Sequence, residues 1–313
     1  MSKLHNIYAK VVFVVLLLLS NCYANAMPLD TALQNTYVAC VEIDDNLHDL
    51  KVLAGINTAV TGVGTGLGVG AAVTGFMKQS ADTDIEELER ELERLSNEYE
   101  GLEPTSADKE IFLRECEEYE ISNPDNIANQ IDELTKKSKK LGNWRTGLLA
   151  GNTATNIAGA IIASKTINKD DIQGQIDACI SATKQLNDAI LEAKMNGEDI
   201  MEAQNIYNVC REYEYVDIKP ISNRGKGAMI SSSVGAGVGG IGTVTSAIAN
   251  SNKIRNDNDD QGKQKEKNLN TASNILSIGA TTASATATVF NATQIAAVKK
   301  VARVSSSCTG VLK

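Results

Sequence analysis

An uncharged, glycine-rich run at 52–77 (VLAGINTAVTGVGTGLGVGAAVTGFM), followed after the polar break KQSADTD by the acidic run 85–102, constrains this chain more than any other feature. Leu53, Ile56, Val60, Val63, Leu67, Gly70 and Met77 follow one another at steps of 3, 4 or 7 in the first run, and Ile85, Leu88, Leu92, Leu95, Tyr99 and Leu102 at steps of 3 and 4 in the second. Such steps draw one stripe along a helix, the seam of a coiled coil. The two series also mirror each other: the numbers of Met77 with Ile85, Gly70 with Leu92, Leu67 with Leu95, Val63 with Tyr99 and Val60 with Leu102 share one total. A constant total is the signature of an antiparallel pair, so the spacing predicts a helical hairpin turned at Lys78 to Thr83.

The plan recurs. Residues 141–165, the break TINKDD and residues 172–194 pair Ile162 with Ile176, Thr155 with Thr183 and Leu148 with Ile190. A third unit starts at Lys226, breaks at NKIRNDNDDQGKQKEK and returns from Leu269, pairing Ile248 with Leu269, Ile241 with Leu276 and Val234 with Ala283. Related sequences precede the units, Cys40-Val41-Glu42, Cys116-Glu117-Glu118 and Cys210-Arg211-Glu212, the last two extending to C-x-E-Y-E with Tyr119 and Tyr213. Self-similarity of this kind implies a diverged threefold repeat of stacked or bundled units. The expected architecture is all-α, an elongated bundle of three antiparallel helical hairpins at 27–125, 126–215 and 216–313.

Glycine is the feature most at odds with helix, since each one inside costs about 0.5–1 kcal/mol against alanine. Gly62, Gly66 and Gly70 share a face, as do Gly235 and Gly239, and such rows let a second backbone approach closely. Helix packing is their expected role. Strand is the competing reading, because VGVGTGLGVG and TASATATV also alternate at period two, but the heptad partners beyond each break favour helix.

The first 26 residues, with Lys3 and Lys10, the apolar VVFVVLLLL and Ala24-Asn25-Ala26, read as a secretory signal peptide. Removing those two lysines from 30 basic residues leaves 28 against 39 acidic ones, a net charge near −11, which argues against nucleic acid as a partner. From Asp82 to Glu120 there are 16 acidic against 4 basic side chains, the composition of a solvated helix face. Five cysteines follow the signal segment: Cys40, Cys116, Cys179, Cys210 and Cys308. Export makes disulfides the default, and an odd count leaves one cysteine free or paired with another chain. Cys179 with Cys210, on either side of MNGED, is the expected clamp.

Little in the chain points to chemistry. His48 is the one histidine after residue 26, so Ser-His-Asp or Cys-His machinery would have to use that imidazole, and no enzyme is expected. Gly235 to Gly240 matches G-x-G-x-x-G, but a serine-rich stretch precedes it where a dinucleotide site needs a strand. Asp257, Asp259 and Gly262 partly match a calcium loop, with Gln261 at position 5, Asn268 at position 12 and three lysines nearby. The acidic residues of each break serve equally well as caps of the following helix. No cofactor and no small-molecule substrate is implied. Trp144, Tyr119 and Tyr213 are among the largest apolar groups in a chain with few aromatics; the two tyrosines are expected to plug the ends of the hairpins, where alanine and glycine cannot fill space, with recognition as the alternative.

Two functions fit. The runs 52–77, 146–164, 227–252 and 268–298 are free of charge and long enough to span a bilayer. In the first reading they bury against one another in a secreted or cell-envelope structural or interaction protein that binds a protein partner or itself. In the second they embed in or insert into a membrane as an anchor or pore. Asn57, Asn152, Asn156, Asn250, Asn270, Asn274 and Asn291 within or beside these runs, and the acidic return arm of the first hairpin, favour the first reading.

Overall fold

The computed structural model describes residues 27–100, 124–167, 171–251 and 260–313, and within them the chain is helical with no strand. The elements are α1 (Leu29–Glu100), α2 (Pro124–Ile167), α3 (Asp171–Met195), α4 (Met201–Cys210), a 3-10 turn (Arg211–Tyr215), α5 (Lys219–Ala249) and α6 (Asp260–Leu312). The expected signal peptide, Leu102, Cys116, Tyr119, Asp257 and Asp259 lie outside the described residues.

Local chemistry explains several boundaries. Proline opens α2, where its missing N–H would be unpaired anyway. The side chain of Asp199 accepts from the Met201 N–H at the start of α4, and that of Asp217 from the Lys219 N–H at the start of α5, each at 3.0 Å. After α3, Gly197 takes φ of +78°, and the Glu198 N–H reaches back to the Ala193 carbonyl at 2.9 Å, the glycine-terminated stop that MNGED encodes.

The turn expected at Lys78 to Thr83 does not form, because α1 runs through it for 72 residues. That break contains neither glycine nor proline, and Lys78 and Asp82 sit one helical turn apart and pair at 2.6 Å, which favours continuation. Met77 and Ile85 are thus two turns apart on one rod. The expected seam is also displaced. Within 52–78 the buried positions are Ala54, Asn57, Thr61, Gly64, Gly68, Ala71, Gly75 and Lys78, whereas Ile56, Val63 and Met77 face outward; of the expected second arm, Leu95 is buried. A heptad is present in the phase of the small and polar residues, not of the large apolar ones.

By backbone contacts the chain forms two compact units. One comprises residues up to Ile56, Ala163–Lys226 and Asn291–Lys313; the other comprises Asn57–Ile162 and Gly227–Phe290. Each draws on parts of all three blocks expected from sequence.

The first unit has an apolar core of Ile43, Leu47, Leu50, Ile176, Leu186, Ile206, Tyr213, Val298 and Val301. Here α3 packs antiparallel on α1: the Thr36 hydroxyl donates to the Ala182 carbonyl at 3.3 Å and the Asn46 amide to Gln175 at 3.0 Å. Thr155 and Thr183, expected to face each other, therefore fall in different units. Two disulfides close the core, Cys40–Cys179 and Cys210–Cys308, in place of the expected Cys179–Cys210. The reason is topological: α1 and α6, distant in sequence, bring the nearer thiols to Cys179 and Cys210.

The second unit is a four-helix bundle in which neighbours alternate in direction. Gly64 meets Thr155 and Gly159 meets Thr61 between α1 and α2; Gly235 meets Asn156 and Gly239 meets Thr153 between α5 and α2. Between α5 and α6, Ser273 donates to the Gly242 carbonyl at 3.1 Å, and a Cβ on Gly242 would meet Leu276 at 3.2 Å. Between α6 and α1, Gly68 meets Thr281 and Gly75 meets Asn274.

Candidate functional site

The interior of the bundle is polar and its exterior apolar. Asn57, Thr61, Asn152, Asn156, Ser232, Ser246, Ser273, Asn274, Ser277 and Ser284 are all buried. Among the described residues of the uncharged runs within this unit, Leu149 is the one large apolar side chain buried in company with them. Facing out instead are Val63, Val69, Val73 and Phe76 of α1, Ile157 and Ile161 of α2, Ile230, Val234, Ile241, Val244 and Ile248 of α5, and Ile275, Ile278 and Val289 of α6.

Glycine makes the polar interior packable. Each glycine lacks the Cβ that would occupy the space into which a neighbouring helix sends an amide or hydroxyl. Asn274 enters at Gly75, Asn250 at Gly142, Asn156 at Gly235, Thr155 at Gly64 and Thr153 at Gly239. A Cβ at Gly64 would lie 2.5 Å from the Thr155 hydroxyl, and one at Gly239 would lie 2.8 Å from that of Thr153. Three of these side chains form a small network: the Asn156 amide donates to Asn152 at 2.8 Å and to Ser284 at 2.7 Å, and the Ser284 hydroxyl reaches Asn152 Oδ1 at 2.9 Å, while Asn152 Nδ2, Ser232 Oγ, Asn250 Oδ1 and Asn274 Oδ1 are buried without a hydrogen-bond partner. Three outward threonines bond within their own helix. Thr245 donates to the Ile241 carbonyl, Thr282 to Ile278 and Thr286 to Thr282, at 2.8–2.9 Å, the back-bonding that removes a hydroxyl's need for water.

Charge enters at one end of the uncharged stretch. Lys78, 1 % exposed, lies 2.6 Å from Asp82 and 3.1 Å from Glu266. Ser138 donates to Asp82, and the buried Arg145 donates to the Asn270 carbonyl at 3.1 Å. Beyond them α1 and α6 exchange exposed ion pairs, Lys263 with Glu89 and Lys267 with Glu86. The acidic run of α1 thus meets lysines of α6.

Of the packing glycines expected from sequence, Gly235 and Gly239 receive Asn156 and Thr153, and Gly70 meets Leu148 at 3.3 Å. Gly62 and Gly66 meet nothing within 4 Å; Gly64, Gly68 and Gly75, which the apolar stripe passed over, hold the close contacts. Gly235 to Gly240 lie in the middle of α5 rather than in a strand-to-helix loop, so the dinucleotide motif has no phosphate cradle. Gly262 is a buried residue of α6. His48, expected to be half-buried, is exposed on α1, and Trp144 is exposed on α2. Tyr213 is fully buried in the first unit, where burial pushes its hydroxyl up to about 12 against a smaller opposing effect of Ser305.

Comparison with protein-family models, curated proteins and solved structures finds no match for the chain.

Proposed function

We propose that the four-helix unit is embedded in a membrane, and that the protein is a non-catalytic, exported membrane component whose disulfide-bonded unit folds in an oxidising compartment. The observation that carries this is the inversion of polarity between the two units. One buries Ile, Leu and Val; the other buries Asn, Ser, Thr and Gly and turns its valines and isoleucines outward. A water-soluble bundle has little to gain from that arrangement, whereas hydrocarbon rewards it, since helix contacts there come from small residues and interhelical hydrogen bonds. Two helices are long and apolar enough to cross a bilayer, and only 28 % of each apolar stretch is buried, unlike the core helix of a soluble protein. The uncharged runs within this unit are roughly 20 residues each, about 30 Å of helix, which matches a hydrocarbon core.

The test is fractionation of the mature protein from membranes. Burial keeps Tyr213 neutral when folded, and its unfolded hydroxyl ionises near 10. The stability this gives the first unit is complete below about pH 10 and is lost as pH rises towards about 12, a total of roughly 2–3 kcal/mol. An alkaline carbonate wash is therefore paired with a neutral urea wash. Retention through both until detergent is added supports embedding. Release by both returns the bundle to water and leaves the interaction-module reading, with a protein partner on the apolar faces.

A further inference from the structure

The first unit holds a second feature that the membrane reading does not use. Cys40 of α1, Cys179 of α3, Cys210 at the end of α4 and Cys308 of α6 meet at one point in its core. The sulfurs of Cys40, Cys179 and Cys308 all lie within 4.8 Å of one another, and Cys210 is bonded to Cys308, so both bridges belong to one cluster of four sulfurs. All four residues are fully buried. Two disulfides that merely staple a fold can sit anywhere along it; here four helices deliver their sulfurs to one place. A tetrahedral thiolate site with metal–sulfur bonds of about 2.3 Å has sulfurs roughly 3.8 Å apart. A four-sulfur site needs each bridged pair to open and Cys210, which is held to the three-sulfur group through its bond to Cys308, to turn towards Cys40 and Cys179.

We propose that these four cysteines, when reduced, form a tetrathiolate site for a soft divalent cation of the zinc class, cross-linking the same four helices that the disulfides join. The chemistry balances with a phosphine or dithiol reductant. Each disulfide takes up two electrons and two protons as the reductant is oxidised, a phosphine gaining its oxygen from water; binding of the cation to the four thiols then releases up to four protons. Softness follows from the all-sulfur donor set, which disfavours magnesium and calcium.

The test uses Co²⁺ as a probe on the chain from Met27 carrying Cys116→Ser, reduced by a phosphine with oxygen excluded. One Co²⁺ per chain is expected, with the near-ultraviolet thiolate-to-metal band and visible bands of a tetrahedral sulfur site, displaced by Zn²⁺. Adding Cys308→Ser is expected to lower affinity at least tenfold and to weaken the thiolate band. Absence of these bands at one equivalent would overturn the proposal, as would bands indifferent to Cys308→Ser. If reduction lowers the helical circular dichroism, Co²⁺ is expected to restore it; failure to do so counts equally against the site.

Discussion

At the scale of single residues, the glycines of this chain divide into those that receive a neighbour's side chain and those that do not. Gly75 takes in Asn274, and a Cβ there would also stand 3.1 Å from Arg145 Nε. Gly66 faces open space. Gly75→Ala is therefore expected to cost about 1–3 kcal/mol by overpacking. Gly66→Ala is expected to stabilise by about 0.5–1 kcal/mol through helix propensity alone. Thermal unfolding of both variants in detergent measures the difference, and equal effects would mean that the seam lies where the apolar stripe suggested. The sequence revealed both glycines and the steps of 3 and 4 that run through their stretch of the chain. It did not reveal the phase, because a stripe of Leu, Ile and Val reads as the buried face by itself, and only the neighbouring helices show that Asn, Ser, Thr and Gly fill the seam instead.

At the scale of elements, α1 shows why mirrored spacing is weaker evidence for a hairpin than it looks. Any two amphipathic helices in tandem with heptad periodicity can be reflected about the residues between them, whether or not the chain turns there. What decides is the local chemistry at 78–83, and there Lys78, Ala81 and Asp82 propagate helix. Spin labels at positions 73 and 90 separate the alternatives. A continuous helix places the two backbones about 26 Å apart at 1.5 Å per residue, whereas a hairpin brings them to about 10 Å. A short distance would restore the turn. The pairing of α5 with α6 differs in kind: a polar break separates the arms, and the contacts of Gly242 with Leu276 and of Gly239 with Ala280 follow one register. The continuity of α1 also removes an objection to the membrane reading, since the acidic run continues beyond the uncharged one instead of lying alongside it.

At the scale of the whole molecule, one chain applies opposite burial rules in its two units, and the difference can be tested with charge. The side chains of Val69 and Ile241 are exposed on the bundle. In a water-soluble protein Val69→Lys and Ile241→Lys would change stability by less than about 0.5 kcal/mol. In the middle of a hydrocarbon layer each would oppose insertion by about 2.5–3.5 kcal/mol. Loss of membrane retention in these variants, with Tyr37→Lys in the first unit as the control that leaves it unchanged, is the expected result. Full retention of both would place those side chains in water.

From the residues alone came the helical class, the uncharged lengths of about one bilayer thickness, the heptad period and the presence of bridging cysteines, because these depend on spacing along the chain. The asparagines were legible too, yet their meaning was not: Asn57, Asn152, Asn156 and Asn274 counted against lipid contact until the structure turned them inward. Tertiary structure alone decided which face of each helix is buried and which cysteines join. Both depend on what lies across the seam. A glycine is a hole only when a neighbour's amide fills it, and a thiol's partner is set by which helix arrives beside it, and neither fact is written in local sequence.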